Sequence, residues 1–138
     1  MDLSNKAAIG ELLARSAFGL DMKDLSLLEA CFTDDARFSL AIEGVADVSE
    51  FNGREEIMGL FSGALDAQTD ERKHVISNVW YSEEGSTAAT VLSYLSLFAT
   101  ENGQTQLITT GLYTDRVVKS AAGDWSIAHR DLKLDRPY

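Results

Sequence analysis

The sequence lacks the features that several function classes depend on. Its single cysteine, Cys31, can close no internal disulfide and belongs to no pair with metal-ligand spacing, which fits a reducing cytoplasm. Basic residues are scarce: 12 Lys and Arg stand against 22 Asp and Glu, a net charge of −10. Neither a nucleic-acid backbone nor an anionic membrane therefore has a basic footprint to bind. No apolar run is long enough to span a bilayer, and Met1-Asp2-Leu3-Ser4-Asn5-Lys6 has neither the basic start nor the apolar core of a secretory signal. There is no Gly-rich phosphate loop and no nucleophile elbow, and no motif asks for a metal or another cofactor. No linker or internal repeat divides the chain, so its 138 residues are expected to form one domain, large enough to bury about two-thirds of the unfolded surface.

What is present is a change of period near the middle. Ala8, Ile9, Leu12, Leu13, Ala17 and Leu20 form the stripe of an amphipathic helix from Ser4 to Leu20, with Ser4 as its N-cap candidate. Asp24 opens a shorter second helix, which Thr33-Asp34-Asp35 closes. Ala36 to Ile42 reads as a strand, and Val45 to Phe51 as its partner. Ile57, Leu60, Phe61, Ala64 and Leu65 share one face of a third helix over Arg54 to Ala67. From residue 71 onward the period is that of strands: His74 to Ser82, Thr87 to Thr100, Gln104 to Lys119 and Asp124 to Leu134. Glu84-Gly85, Asn102-Gly103 and Ala122-Gly123 punctuate them as tight turns. The expected fold is α+β: three helices on one face of a strongly curved, mostly antiparallel sheet whose concave side forms the pocket.

The order of these pieces carries a resemblance. Leu20-Asp21, Cys31-Phe32-Thr33-Asp34-Asp35-Ala36, Gly53-Arg54-Glu55-Glu56-Ile57, His74 with Asn78, Gly111-Leu112-Tyr113-Thr114-Asp115 and Gly123-Asp124-Trp125-Ser126-Ile127-Ala128-His129-Arg130 follow one another as in the SnoaL-like branch of the nuclear transport factor 2-like superfamily. That resemblance implies a cone-shaped, cystatin-like α+β barrel. Members such as scytalone dehydratase, bile-acid dehydratase and hexachlorocyclohexane dehydrochlorinase use an Asp-His pair, often with an arginine from the last strand. Asp21, His74 and Arg130 match those positions. The chain departs from the pattern at Ser16, where a pocket tyrosine is common, and at Tyr94, Ser96 and Leu97, where some members carry a second acid or histidine. Leu40 stands near the position of the ketosteroid isomerase aspartate, which disfavours that mechanism.

The chemistry these residue types support is proton transfer. A carboxylate on one imidazole nitrogen fixes the tautomer and stabilises the imidazolium, making the other nitrogen a general base. Asp21 would orient His74, and Arg130 would stabilise a developing anion. Ser16, Asn78, Trp80, Tyr94, Ser96 and Tyr113 are the candidate substrate contacts. The expected activity is a cofactor-independent lyase or isomerase acting on a small aromatic or polycyclic compound. The competing readings are a noncatalytic binding or dimerisation module and an accessory subunit of an oxygenase. The structural alternatives are specific too: Asp21 as a helix cap, His74 as a satisfied strand residue, and Arg130 paired with Asp115, Asp131 or a partner subunit. His129, of opposite strand parity to Arg130, belongs outside the site, and Trp125 and Ile127, which share its parity, are read as core. Asp34-Asp35 and Glu55-Glu56 read as solvated surface and first-turn charge. A homodimer packed through the outer sheet face is expected, with a trimer as the alternative.

Overall fold

A computed structural model describes residues 1–138. Helix α1 (Leu3–Asp21) starts one residue before Ser4: its N-cap is Asp2, whose carboxylate accepts the Asn5 backbone N–H at 2.8 Å. An ionised cap also meets the positive end of the helix dipole, which a serine does not. Helix α2 (Leu25–Glu29) is capped by Asp24, which accepts the Leu27 N–H at 3.0 Å. Strand β1 (Phe32–Ile42) begins earlier than Ala36, because Thr33-Asp34-Asp35 lies within an irregular stretch of the strand and not at a helix end. Strand β2 (Ser49–Asn52) is shorter than its pattern suggests, and Gly53 at φ 92° turns the chain into α3 (Arg54–Ala67), the helix its stripe predicts. The long strands follow: β3 (Glu71–Glu83), β4 (Ala88–Glu101), β5 (Gln104–Lys119) and β6 (Trp125–Leu134). Asn102 and Gly103, both at positive φ, make the tight β4–β5 turn.

The strands form one sheet in the order β2-β1-β6-β5-β4-β3, curved but not closed into a barrel. The β3-β4-β5-β6 meander is antiparallel as expected, whereas β1 joins β6 in parallel. The three helices cover the concave face, α1 against β3 and α2, and α3 against β1 and β2. The core lies between: Ile9, Leu12, Leu13, Leu28, Phe32, Ile57, Val91, Val117 and Ile127 are all at most 2% exposed. No helix is long and apolar enough to cross a membrane.

Two bulges decide which side chains face inward. On β6, Val117 pairs with Ile127 but Arg116 pairs with His129, so Ala128 is an extra residue. The bulge resets the alternation, so Trp125, Ile127 and Arg130 are all buried, contrary to the strict parity that separates Arg130 from the other two. His129 is directed to the outer face, where it pairs with Asp131 at 3.1 Å. On β3, Ser77 pairs with Tyr94 and Trp80 with Leu92, so one residue of β3 is again in excess, and Asn78 takes a left-handed conformation at φ 55°.

Candidate active site

Asp21 is the last residue of α1, and the helix ends with its carboxylate against the beginning of β3. The His74 backbone N–H donates to both Asp21 oxygens, at 3.1 and 3.0 Å, and Nδ1 of the same histidine lies 2.6 Å from Oδ1. Helix capping therefore does not explain Asp21: the carboxylate is committed to His74, holding its main chain and its ring together. The two side chains are 14% and 11% exposed. A carboxylate at this distance from Nδ1 favours the tautomer that carries its proton there, which leaves the lone pair on Nε2, an atom that bonds no protein group.

His74 lines a cavity of about 130 Å³ between the helices and the concave sheet face. Its wall is mainly apolar: Leu20, Leu28, Leu60 and Leu65 come from the helices, and Phe38, Leu40, Leu132 and Leu134 from the sheet. Phe38 and Phe61 meet edge to face, ring centroids 5.6 Å apart, and brace that wall. The polar groups are few: Gln68, Arg72, His74, Tyr113, Arg130 and Tyr138. No group of three or more His, Cys, Asp or Glu side chains is arranged to hold a metal ion.

Arg130 reaches the same cavity but is already engaged. Nε and Nη2 donate to the two Asp115 oxygens at 2.7 and 3.0 Å, and Nη1 donates to Ser16 Oγ at 3.1 Å. Arg130 is 3% and Asp115 0% exposed. Burial pulls the guanidinium toward its neutral form, but the adjacent carboxylate outweighs that through charge and hydrogen bonding, and the pKa is raised. The guanidinium also sits 4.1 Å from the centroid of the Tyr113 ring. Tyr113 is 3% exposed and its hydroxyl has no protein partner; burial pushes that hydroxyl up to about 12, Arg130 opposing and Asp115 assisting. It is therefore a neutral hydrogen-bond donor at any ordinary pH.

Of the sequence-based candidates, the structure brings together Asp21, His74, Arg130 and Tyr113, with Ser16 bonded to Arg130 behind the cavity. It does not bring in the other four. Asn78 and Trp80 are turned outward by the β3 bulge, Trp80 being 63% exposed. Tyr94 and Ser96 alternate with the buried Leu95 and Leu97, so they occupy the outer face near Ser77 and Thr110. The same alternation identifies what the sequence reading missed: Arg72, two positions before His74, shares its face and lines the cavity.

Residues 1–131 match the SnoaL-like domain family. No curated protein matches the sequence. Among solved structures, a Nostoc punctiforme protein of unknown function with a cystatin-like fold is 25% identical, with a TM-score of 0.81 over 98% of this chain and 94% of that one. A Novosphingobium aromaticivorans protein assigned as a scytalone dehydratase is 24% identical, with a TM-score of 0.78 over 96% and 85% of the two chains. The β subunit of an assigned aromatic-ring-hydroxylating dioxygenase from the same organism is 18% identical, with a TM-score of 0.83 over 99% and 94%.

Proposed function

The chain belongs to the SnoaL-like domain family, and from that premise we propose that it is a cofactor-independent lyase or isomerase whose general base is His74. The observation that carries the reading is the 2.6 Å contact between His74 Nδ1 and Asp21, which leaves Nε2 as the free nitrogen of a ring lining a mainly apolar cavity. Nε2 takes a proton from carbon next to a carbonyl, an aromatic ring or a leaving group. Asp21 stabilises the resulting imidazolium. The electron pair released from the C–H bond moves onto an oxygen or expels the leaving group, and the anion so formed meets the Tyr113 hydroxyl and the Arg130 guanidinium. Each positioned group contributes about a hundred- to ten-thousand-fold in rate. Elimination, isomerisation, aldol-type cyclisation and its reverse all pass through this step.

The cavity volume of about 130 Å³ is close to the roughly 150 Å³ apolar cavity that takes one benzene. The reacting part of the substrate is accordingly one ring or its equivalent, which narrows the aromatic or polycyclic expectation. Val75, Trp80 and Tyr94, 45%, 63% and 54% exposed on the outer face of β3 and β4, support a homodimer through that face, with a trimer as the alternative. The free, buried Cys31 supports a cytoplasmic setting.

The test is proton abstraction itself. The protein is incubated in deuterium oxide with a panel of one-ring ketones and esters, and loss of the acidic C–H signal is followed by proton NMR. Accelerated exchange that His74→Gln loses while remaining folded is the expected result. Exchange equally fast in that variant would remove His74 as the base, and no exchange with any compound would favour the ligand-sequestering or accessory-subunit readings.

A further inference from the structure

The cavity has a charge character that the chain as a whole does not share. The protein carries 22 Asp and Glu against 12 Lys and Arg, yet no acidic side chain lines the cavity, while two arginines and a histidine do. The carboxylates nearest them are already committed: Asp21 to His74, Asp115 to Arg130, and Asp70 to Arg72. Of the two arginines, Arg130 has three of its donors occupied. Arg72 has one occupied. Its Nε donates to Asp70 Oδ1 at 2.8 Å, and neither terminal nitrogen bonds a protein group.

The guanidinium is nevertheless held in place. Asp70 secures one edge, and the Asp70 carbonyl in turn accepts the Gln68 side-chain amide at 2.7 Å. The Tyr138 ring covers one face, its centroid 5.2 Å from Cζ. The Arg72 side chain is 23% exposed, partly desolvated and not buried. A planar cation fixed on two sides, with its remaining edge free, is the arrangement that accepts a carboxylate in a bidentate manner.

We propose that Arg72 is a specificity-determining residue that binds an anionic group of the substrate. The substrate class is then a small one-ring compound bearing a carboxylate or a comparable oxyanion. Arg72 and His74 are alternate residues on one face of β3, so their backbones are about 7 Å apart along the strand. An anion held by Arg72 therefore sets the carbon acid roughly one ring away, within reach of Nε2. The inference deepens the proton-transfer reading of this site and rests on it for the identity of the reacting carbon, whereas the binding preference does not depend on catalysis.

The experiment measures binding of benzoate, benzyl alcohol and benzylammonium, three probes of the same ring size, by ligand-observed NMR titration. Charge-assisted bonds to a fixed guanidinium are expected to make benzoate about ten- to a hundredfold tighter than benzyl alcohol, with benzylammonium weakest. Arg72→Met should remove most of that preference, read as the ratio of benzoate to benzyl alcohol affinity within the variant. His74→Gln, which abolishes the proposed base, should keep it. Arg72→Lys, which retains charge but not the planar fork, should fall between. A preference that survives Arg72→Met, or is lost only in His74→Gln, overturns the proposal, as does benzyl alcohol binding as well as benzoate or no saturable benzoate binding at all. Failure here leaves the base assignment to be judged by deuterium exchange, which reads a different quantity.

Discussion

Replacing Asp115 by leucine should be among the most damaging single changes in this protein, and the structure says by how much. Asp115 is 0% exposed and accepts two hydrogen bonds from Arg130, itself 3% exposed. The leucine keeps the branched skeleton of aspartate with bulkier methyls in place of the oxygens, so overpacking adds to the loss but the stranded charge dominates it. It leaves a guanidinium buried with only Ser16 Oγ as a hydrogen-bonding partner and the Tyr113 ring as a weak one. Stranding one member of a buried pair costs about 3–5 kcal/mol, a large share of a total stability of about 5–15 kcal/mol. For 138 residues the unfolding entropy is about 0.3 kcal/mol/K, so the midpoint should fall by about 10–17 °C. Urea and thermal unfolding followed by circular dichroism measure both. The double variant Asp115→Leu with Arg130→Met removes both charges and should recover most of the loss, because no ion is then stranded. It should still be catalytically impaired, since the cation facing the cavity has gone. A single-variant loss below about 1 kcal/mol, the range of a solvated surface pair, or a double variant no more stable than the single, would refute the picture of a dry, interdependent pair.

Asp21→Asn should stay folded, because an amide oxygen can still accept the His74 backbone N–H, but it offers N–H instead of oxygen to the ring or accepts less well; steady-state kinetics should show turnover lower by about a thousand- to ten-thousand-fold. Burial pushes the Tyr113 hydroxyl up to about 12, so the folded state favours the neutral phenol. That contribution is complete below the ordinary value near 10 and is lost as pH rises through about 12, a loss on the order of 2 kcal/mol. Tyr113→Phe should flatten this part of the stability profile, measured by urea unfolding across that range. Gly19→Ala places a Cβ 2.9 Å from Leu28 Cβ and 3.0 Å from its Cα, so α2 must shift from α1 at a cost of about 1–3 kcal/mol. Gly10→Ala, in the same helix with nothing within 4 Å, should stabilise by about 0.5–1 kcal/mol, and thermal unfolding of the pair separates the two effects.

The contrast between Gly10 and Gly19 illustrates what the sequence could and could not show. Both are visible as glycines in an apolar helix stripe, and only the packing of Leu28 distinguishes them. Elements set by local pattern are legible: α3 over Arg54–Ala67 follows from its stripe and β5 over Gln104–Lys119 from its alternation and flanking turns. The parallel pairing of β1 with β6 brings together residues far apart in the chain, and no local signal encodes it. The bulges are also silent in the sequence, because an extra residue such as Ala128 looks like any other until its partner strand is known. Their effect on the site is large: one puts Arg130 on the same side as Ile127, and the other turns Asn78 and Trp80 out. Tyr94 and Ser96 are a different case. Taking Leu95 and Leu97 as core fixes their neighbours on the outer face by simple alternation, and the same rule applied backward from His74 would have found Arg72. Only the family resemblance points to Asp21 and His74 in the sequence, and their contact across 53 positions is a product of the fold.

The proposed proton transfer depends on the location of one proton. Long-range proton–nitrogen NMR of His74 in the free protein, labelled with nitrogen-15, distinguishes the two neutral tautomers directly. The expected result is a ring protonated on Nδ1, against Asp21, with Nε2 bare toward the cavity, and a change in that pattern in Asp21→Asn. A neutral ring carrying its proton on Nε2 would contradict it, because the nitrogen facing the cavity would then have no lone pair with which to act as a base.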